Sequence, residues 1–523
     1  MAPKLFYHTF CIEQRIPQDH PLRRIKALID FDFVRGRVAG LYGSRGNVSV
    51  DPAVLLKLMF LLYYENVKSV RRLLSQLPLR LDWLWFCGYD IDDPTPDHSV
   101  IAKARRRWGK AIFAEFFQTI LEQCIGAGLV DGQTIHIDSS MIDANASMDS
   151  LRPHLRQVGQ TLYDQLEQEE QPADSSPTLP EESSNPSDDE LGKQTSTTDP
   201  DARLGRKYGQ TTLGYKDHRV VDDHCGIITA TITTPAHVND GTRLQQTVEK
   251  HETNTRTSVG TVVADTIYGT MDNYQYLHDR GARACIPHQR HTGGKTASFS
   301  CDQFTYDPRR DCLICPAGQP LIRYDRQRPY QWGGIRYRAD RRTCRQCRFF
   351  TACVSSSVNG RQVVRNERAP YVEWADGCLS PVRRKRLLSR RRCKAEGSFA
   401  DAANNHGFKR ARFRGLEQVE IQNLMIAAIQ NLRKLLGVWG RKAVTIASKW
   451  IENQLLRIIS AIPFAWLFHW TQSNGRPTFL RAIMNFFKEQ KRKISTAYSI
   501  HRKTFWATRP GGRSQNIDDL RPG

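Results

Sequence analysis

Residues 134–138 read TIHID and residues 258–265 read SVGTVVAD, and these two stretches decide the fold. The first alternates polar and apolar residues, as a strand with one buried face does. The second is a continuous apolar run, which is typical of a strand covered on both faces of its sheet. Each ends in an aspartate, so the sequence predicts Asp138 and Asp265 at the carboxyl ends of two strands, where side chains can converge in a crevice.

The residues around these two runs complete an α/β pattern. HRVVDD and GIITATITTPA are expected to pair as a hairpin around His224–Gly226. Asp240 is expected to cap a helix that runs to about His251, and a helix over Met271–Arg280 should end at Gly281. RACIP then forms a fifth strand. Three successive strands followed by helix, strand, helix and strand is the order of an RNase-H-like catalytic core, a mixed sheet flanked by helices.

Residues 1–130 are predicted to form an N-terminal all-helical domain. Asp51 with Pro52, Ser69 and Asp97 are good starts for three of its helices. The third helix is strongly basic, and short helices joined by tight turns fit a helix-turn-helix-like DNA-binding unit. A helical packing domain with a solvated basic face is the alternative. The candidate DNA contacts on this helix are Arg105, Arg106 and Arg107.

The charge balance favours a polyanionic partner. Lys and Arg number 76 against 54 for Asp and Glu, which gives a net charge of +22. A basic surface gains affinity for DNA by releasing counterions, although ribosomal or membrane-surface binding would give similar totals. The amino-terminal residues lack the apolar core of a signal peptide, and Leu456–Trp470 is too short to span a bilayer. The sequence therefore predicts neither export nor a membrane span.

Two further segments differ in composition from the rest. Residues 164–202 are acidic and rich in Pro and Ser, so they are expected to form a disordered insertion in the first part of the catalytic core, residues 131–290. LEQVEIQNLMIAAIQNLRKLLG, residues 416–437, has one apolar helical face and a final glycine that stops it. It belongs to the last part of the core, residues 381–440. A helical and basic tail follows over 441–523.

Cysteines are concentrated in the segment 291–380, which is predicted to be an inserted zinc-ribbon-like module. The chain has 13 cysteines, and six of them fall between Cys301 and Cys353. In a cytosolic chain such clustering indicates metal binding rather than disulfides. CLIC and CRQC are paired knuckles that could enclose one structural Zn²⁺. The ligands would be Cys312, Cys315, Cys344 and Cys347, with Cys301 and Cys353 as substitutes. Free buried thiols are the alternative.

A third acidic residue, Glu396, lies in RRCKAEGSF within a predicted helix and a very basic environment. Carboxylate oxygens are hard ligands suited to Mg²⁺ or Mn²⁺, and phosphoryl transfer on DNA uses two such ions about 3.5–4 Å apart. Asp138, Asp265 and Glu396 are thus candidates to hold two divalent ions. Lone carboxylates at strand ends are common, and three nearby acids are rivals for this role: Asp143, Asp222 and Asp223.

Several ordered motifs resemble bacterial insertion-sequence transposases of the DDE class. They are SVRRL, PDHSVIAKARRRW, IDSSMIDANAS, GYKDHRVVDD, TPAHVND, VADTIYGT and EGSFADAANNHGFKRARFRGLEQVEIQNLMIAAIQNL. The similarity extends from about residue 15 to about residue 437. It is greatest to the group named after insertion sequence eleven-eighty-two, which is related to the four/five-like transposases. The cysteine segment lies between Asp265 and Glu396, as in relatives with a module inserted at that point.

The resemblance implies roles for particular residues. Asp138, Asp265 and Glu396 match the three metal-binding acids of the family, and Arg392 matches its conserved arginine, a phosphate contact. Ser389 and Ala403 stand where the related signature has Tyr and Lys. These two departures put the grip on DNA in question more than the binding of metal. Four basic residues near the missing lysine are candidate phosphate contacts in its place: Lys409, Arg410, Arg412 and Arg414.

The resemblance also implies an activity and partners. Metal-assisted hydrolysis at each element end would free a 3′ hydroxyl, which would then attack a target phosphodiester. The partners would be the double-stranded terminal inverted repeats and target DNA, bound by a homodimer in the bacterial cytoplasm at the nucleoid. Two alternatives remain open at this point. One is a transposase descendant that only binds DNA, and the other is a metal-dependent nuclease that joins no strands.

Overall fold

The computed structural model describes residues 11–43, 49–153, 194–207, 209–288, 299, 303–324, 334–354, 360–366 and 368–437. Apart from the last residue, all of these belong to one unit, Met1–Leu436. Some predictions fall outside the described residues. They concern most of the acidic insertion, Cys301, the apolar stretch Leu456–Trp470 and the tail 441–523.

The N-terminal region is helical, as predicted. Asp51 accepts a hydrogen bond from the Ala53 N–H at 2.9 Å, and Ser69 and Asp97 cap their helices in the same way, so all three predicted starts are confirmed. Phe31 lies at the centre of the packing, with its ring 5.5–5.8 Å from three other phenylalanines. The helices are α1 Ile12–Arg15, α2 Pro21–Leu28, α3 Phe33–Val38, α4 Pro52–Tyr64, α5 Val70–Gln76, α6 Leu81–Cys87 and α7 His98–Gly126, with single 3₁₀ turns at Ala39–Leu41 and Leu77–Leu79.

Helix α7 is interrupted at Gly109, whose φ of +64° lies in the region that favours glycine. The backbone N–H of Lys110 then donates to the Glu417 carboxylate at 3.0 Å, and the Lys110 ammonium lies 3.1 Å from Glu420. The carboxylates of a much later helix thus satisfy donors that the break exposes. The N-terminal helices and the end of the catalytic region are therefore joined directly.

The central sheet has six strands in the order β4–β5–β1–β7–β8, with β6 also paired to β5. Strands β1, β7 and β8 run parallel, whereas β5 is antiparallel to β1, β4 and β6. The predicted hairpin is confirmed, and Gly226 in its turn has a φ of +70°. A small pair, β2 Leu151–Pro153 with β3 Gln194–Ser196, lies apart from this sheet. The central strands are β1 Thr134–Asp143, β4 Arg203–Lys207, β5 Gln210–Asp222, β6 Ile228–Pro235, β7 Thr261–Val263 and β8 Arg283–Cys285.

Three details of the predicted core were wrong. Strand β1 continues to Asp143 because β5 pairs with it along its whole length, so Asp138 lies in mid-strand and not at its end. Asn239, not Asp240, caps the next segment, a 3₁₀ turn that leads into helix α8 Leu244–Thr255. Residues 194–202 were expected to be disordered, yet β3 is paired and Asp199 accepts a hydrogen bond from the Tyr215 hydroxyl at 2.7 Å. The predicted helix at Met271 is present as α9 Met271–Asp279, and Gly281 follows it with a φ of +69°.

The cysteine segment forms a second sheet of five antiparallel strands in the order β13–β12–β11–β10–β9. A small apolar core that includes Leu313, Leu321 and Tyr337 lies against it. The elements are β9 Thr305–Asp307, β10 Cys312–Ile314, β11 Pro320–Arg323, β12 Gly334–Ala339 and β13 Gln362–Asn366, with short helices α10 Arg341–Arg345 and α11 Phe350–Cys353 between the last two strands.

The chain then returns to the central sheet through α12 Ala369–Gly377, α13 Pro381–Arg391, one π-helical turn over Arg392–Glu396, α14 Gly397–His406 and α15 over residues 416–437. Helix α15 is held to the sheet by its polar side chains as well as its apolar face. The Asn431 amide donates to the Ile228 carbonyl at 2.7 Å and accepts from its N–H at 2.8 Å. This pairing satisfies a backbone donor and acceptor where β6 begins.

Candidate functional site

Asp138 and Asp265 are neighbours because of the register between β1 and β7. His136 pairs in parallel with Val263, and each aspartate follows two residues later. Both side chains therefore leave the sheet at the same level and on the same face. Asp265 also caps the 3₁₀ turn Thr266–Tyr268, and its carboxylate accepts the Ile267 N–H at 3.0 Å. This cap fixes the direction of the Asp265 side chain.

Glu396 reaches the same place from the π-helical turn between α13 and α14. Such a turn closes over five residues, so the residue that faces Glu396 is five positions earlier. That residue is Arg391, whose guanidinium lies 3.1 Å from Glu396 and 3.2 Å from Asp138. Arg392, which the resemblance implies as a phosphate contact, is the next residue and is exposed.

The three carboxylates influence one another electrostatically. Burial raises the pKa of Asp138 to about 6; the Arg391 guanidinium opposes this rise, and the charges of Asp265 and Glu396 add to it. Burial likewise raises the pKa of Asp265, against a backbone hydrogen bond and Arg391. Only the side chain of Glu396 is well exposed, at 50%. The site thus concentrates negative charge in a partly dry crevice, which favours a bound cation.

A fourth carboxylate, Asp240, belongs to the same crevice and was missed as a site residue. It accepts the Ser139 hydroxyl at 2.5 Å and lies 2.9 Å from the Lys216 ammonium. The pKa of buried Tyr268 is raised chiefly by burial and further by Asp240, Asp138 and Asp265, so all three acids surround this ring. Asp240 is the last residue of the motif TPAHVND, which was the signal in the sequence that could have indicated a site residue.

The three rival acids have other roles. Asp222 is buried and accepts backbone N–H groups of Gly132 at 2.7 Å and His224 at 2.9 Å, so it holds two turns together. Asp223 lies 2.8 Å from His136 and 2.9 Å from Arg390. Asp143 is exposed, and five residues after Asp138 on a strand it points to the opposite face. None of these three joins the crevice.

The predicted DNA contacts divide by exposure. Arg105 is only 5% exposed, donates to Gln418 at 2.5 Å and lies over the Phe413 ring, and burial lowers its pKa to about 10. Arg412 donates to the carbonyls of Leu62 and Val67 at 2.8 and 2.7 Å. Both were predicted to contact DNA, and both are instead committed to packing inside the protein. The exposed candidates are Arg106, Arg107, Arg392, Lys409, Arg410 and Arg414.

Lys409 and Arg410 lie along β1. The Lys409 ammonium donates to the Ser140 hydroxyl at 2.8 Å, and Ser140 shares a strand face with Asp138. Arg410 forms a parallel bridge with Asp143 through the backbone. Lys409 is thus an exposed cation on the strand face that carries Asp138, and Arg410 is an exposed cation at the end of β1.

The cysteines in the described ranges form no disulfide. Within those ranges, no three His, Cys, Asp or Glu side chains are already gathered tightly enough to hold a metal ion. At the carboxylate crevice, the Arg391 guanidinium is the positive charge that pairs with Asp138 and Glu396. No helix in the described part of the chain is long and apolar enough to cross a membrane.

Comparisons with known proteins identify two stretches. Residues 10–107 match the family described as Transposase domain (DUF772), and residues 314–436 match the family described as Transposase DDE domain. No curated protein matches the chain. Two stretches of the chain are therefore similar to transposase domains, and the second of them is similar to a transposase DDE domain. Together these domains indicate an insertion-sequence transposase. Glu396 lies within the second match, whereas Asp138 and Asp265 lie between the two.

Proposed function

We propose that this protein is the transposase of an insertion sequence resembling the eleven-eighty-two group, and that it cuts the ends of its element and joins them to target DNA. The observation that supports this best is the crevice itself. Asp138, Asp265 and Glu396 come from distant parts of the chain and meet around one guanidinium. Three converging acids beside exposed cations suit phosphodiester chemistry on a polyanion.

The strand order supports an RNase-H-like core. The first, second and third long strands form an antiparallel series, and the two later strands add in parallel on the other side of β1. Parallel connections through α8 and α9 bring β7 beside β1 and β8 beside β7. On this reading the cysteine module is an insertion after the fifth core strand, and the boundaries near residues 130, 290 and 380 separate the proposed domains.

The residues present fit two Mg²⁺ or Mn²⁺ ions. Asp138, Asp265 and Glu396 would hold them, because a buried carboxyl whose pKa is raised and whose present partner is a guanidinium is a site that accepts a cation. When bound, such ions activate the attacking oxygen and stabilise the leaving oxygen. Asp240, which accepts a hydrogen bond from Ser139 and pairs with Lys216, would stabilise the shape of the crevice.

The chain's own residues would bind and orient the DNA. Lys409 and Arg410, beside β1, would contact phosphates that flank the scissile bond, and exposed Arg106 and Arg107 on α7 would contact DNA farther away. Because two ends must be joined to one target, we expect a homodimer in the DNA complex. A DNA partner in the bacterial cytoplasm follows from the same proposal. The predicted zinc takes no part in this chemistry, since its cysteines belong to the second sheet.

A joining assay tests the proposal. The full chain is incubated with labelled DNA that carries the element's terminal inverted repeats, with plasmid target DNA and with Mg²⁺ or Mn²⁺. We expect ends covalently joined to the target. Cut ends without joined product would favour the nuclease alternative, and bound but intact ends would favour the descendant that only binds DNA. Either outcome contradicts the proposal.

Replacing Lys409 and Arg410 together by alanine is expected to weaken binding to end DNA and to reduce its salt dependence. Each phosphate contact adds about 0.9 to the slope of log affinity against log salt, so losing two should reduce the slope by about 1.8. Fluorescence anisotropy at several salt concentrations measures both quantities. Lys250→Ala with Arg283→Ala removes the same charge from other exposed positions and serves as the control. An unchanged slope in the test variant would remove both residues from the interface.

Replacing Arg391 by glutamine is expected to strengthen binding of Mn²⁺ in the absence of DNA. Its guanidinium occupies the position between Asp138 and Glu396, so a metal ion must displace it. Without the guanidinium as a competitor for these carboxylates, the variant should bind Mn²⁺ about tenfold more tightly, which corresponds to about 1.4 kcal/mol. Calorimetric titration of Mn²⁺ into the full chain measures it. Arg392→Gln, one residue away and exposed, is the matched control; equal affinities for the two variants would refute this role for Arg391.

A further inference from the structure

Four cysteines line one small cavity at the edge of the second sheet. The cavity measures about 30 Å³, which is room for a single water molecule or ion. Its lining is otherwise mainly apolar and includes Leu321, Phe350 and Val354. Three separate parts of the chain supply the thiols: the loop after β10, the end of α10 and its following turn, and the end of α11. The cysteines are Cys315, Cys344, Cys347 and Cys353.

Cys315 begins a tight turn that directs a backbone N–H at its sulfur. The sequence CPAG leads into Gly318, whose φ of +78° closes the turn, and the Gly318 N–H donates to the Cys315 carbonyl at 2.8 Å. The next N–H, that of Gln319, donates to the Cys315 sulfur at 3.3 Å. The turn therefore fixes the position of the Cys315 sulfur beside the cavity.

Cys344, Cys347 and Cys353 complete the set from the opposite side. The Cys347 N–H donates to the Cys344 carbonyl at 3.1 Å, so these two thiols are presented by one turn. Cys353 ends α11, where Arg361 donates to its carbonyl at 3.0 Å. All four thiols therefore line the same cavity.

Cys312 does not belong to this set, although CLIC suggested it. It precedes Leu313 on β10, and successive residues of a strand point to opposite faces. Leu313 packs in the small core together with Cys315, Cys344 and Cys353, so Cys312 lies on the other face of the sheet. In CLIC, residues 312–314 form the strand, and only Cys315 is a ligand. The turn that presents this ligand is CPAG, residues 315–318.

We propose that Cys315, Cys344, Cys347 and Cys353 bind one structural Zn²⁺. Four thiolates around a cavity of this size match the tetrahedral, all-sulfur sites in which zinc is bound without an open position. Cys315, Cys344 and Cys353 pack against the small apolar core, and Cys347 lines the cavity with them. Binding of the metal would release the thiol protons to solvent and draw the four sulfurs together.

The metal would hold α10 and α11 in place. These helices have five and four residues, and isolated helices so short are unstable in water. Fixing both to the loop after β10 orders a strongly basic surface. Its exposed residues are Arg341, Arg342, Arg345 and Arg348. This zinc site is independent of strand transfer, because it would exist whether or not the carboxylate crevice is active.

Metal analysis of matched cysteine variants tests the ligand set. The full chain, purified under reducing conditions and freed of loosely bound metal, is expected to retain about one Zn²⁺ per chain. Cys353→Ser should lose it, whereas Cys312→Ser, a buried cysteine on the same sheet, should keep it. Loss of zinc in the Cys312 variant with retention in the Cys353 variant would overturn the assignment. Iron instead of zinc, or no metal in the unaltered chain, would also overturn it.

Thiol labelling of the unaltered chain tests the same set without relying on variants that still fold. Brief treatment with N-ethylmaleimide, followed by peptide mass spectrometry, is carried out before and after removal of metal by a chelator. We expect Cys315, Cys344, Cys347 and Cys353 to be protected at first and labelled after chelation. Exposed Cys393 should be labelled in both cases and serves as the internal control. Labelling of the four at the same rate before and after chelation contradicts the proposal.

Discussion

We expect Asp138→Asn, Asp265→Asn and Glu396→Gln each to abolish cleavage and joining of element ends, while binding of the end DNA persists. Each substitution keeps the shape of the side chain and removes a charged oxygen ligand from the crevice. Two ions held by three carboxylates share these ligands, so losing any one of them disturbs both ions. We expect a loss of at least about 10³-fold in rate, equal to ~4 kcal/mol in the activation barrier.

A stability measurement separates this loss from misfolding. Burial raises the pKa of Asp138 to about 6, so the folded state disfavours its charge at neutral pH relative to the unfolded chain. A neutral asparagine there should leave the midpoint of thermal unfolding unchanged or raise it. Activity and stability therefore move in different directions, as is common where a fold holds charges for catalysis.

Asp143→Asn is the matched control for the three substitutions. It removes the same group from the same strand, but the Asp143 side chain is exposed and points to the opposite face from Asp138. The control should cleave and join DNA as the unaltered chain does. If any of the three test variants keeps substantial cleavage activity, that residue does not belong to the catalytic set. Anisotropy with end DNA checks that each variant still binds.

The sequence predicted the sheet well because its signals were local. Local residue patterns predicted β1, β7 and β8: β1 alternates polar and apolar residues, and β7 is an apolar run. The cap residues Asp51 and Ser69 indicated helix starts through hydrogen bonds to their own next turn. The end of β1 could not be predicted in the same way. Residues Ser139–Asp143 belong to the strand because β5, more than 70 positions later, pairs with them.

The three acids of the candidate site could be predicted from the sequence. Arg391, the cation that pairs with two of them, could not. The residue facing Glu396 depends on whether the turn before it closes over four or five residues, and nothing in RRCKAE signals a π turn. The burial of Arg105, by contrast, could have been predicted. Ile101 is four residues before it and Trp108 three after it, so Arg105 shares a helical face with two residues of the core.

Arg219→Met is expected to destabilise the fold more than any other single substitution considered. Arg219 and Asp217 are both fully buried on β5, 2.7 Å apart. Burial raises the pKa of Asp217, which shows how much its charge depends on the partner. Removing the arginine leaves a buried carboxylate without its counter-ion, and such losses cost about 3–5 kcal/mol. That is a large fraction of the stability of an ordinary domain.

The loss of Arg219 should also disturb the carboxylate crevice, because Arg219 connects the sheet to the residues around Glu396. Its guanidinium donates to Gln430 of α15 at 2.9 Å and to the Ser398 carbonyl at 3.4 Å, and it lies 4.6 Å from the centre of the Phe399 ring. Ser398 is two residues after Glu396. Without this support the turn that presents Glu396 is no longer fixed to the strand that presents Asp138.

Urea unfolding of single and paired variants measures the effect. Arg219→Met alone should lose about 3–5 kcal/mol or fail to accumulate as folded protein, whereas Asp217→Leu with Arg219→Met should be more stable than the single variant. The pair removes both charges and leaves no buried carboxylate. Arg71→Met, at an exposed position on α5, is the control and should change stability by no more than about 0.5 kcal/mol. If Arg219→Met is as stable as this control, the buried pair does not support the fold. The connection from β5 to the Glu396 turn would then have to consist of the apolar contacts of Phe399 and its neighbours.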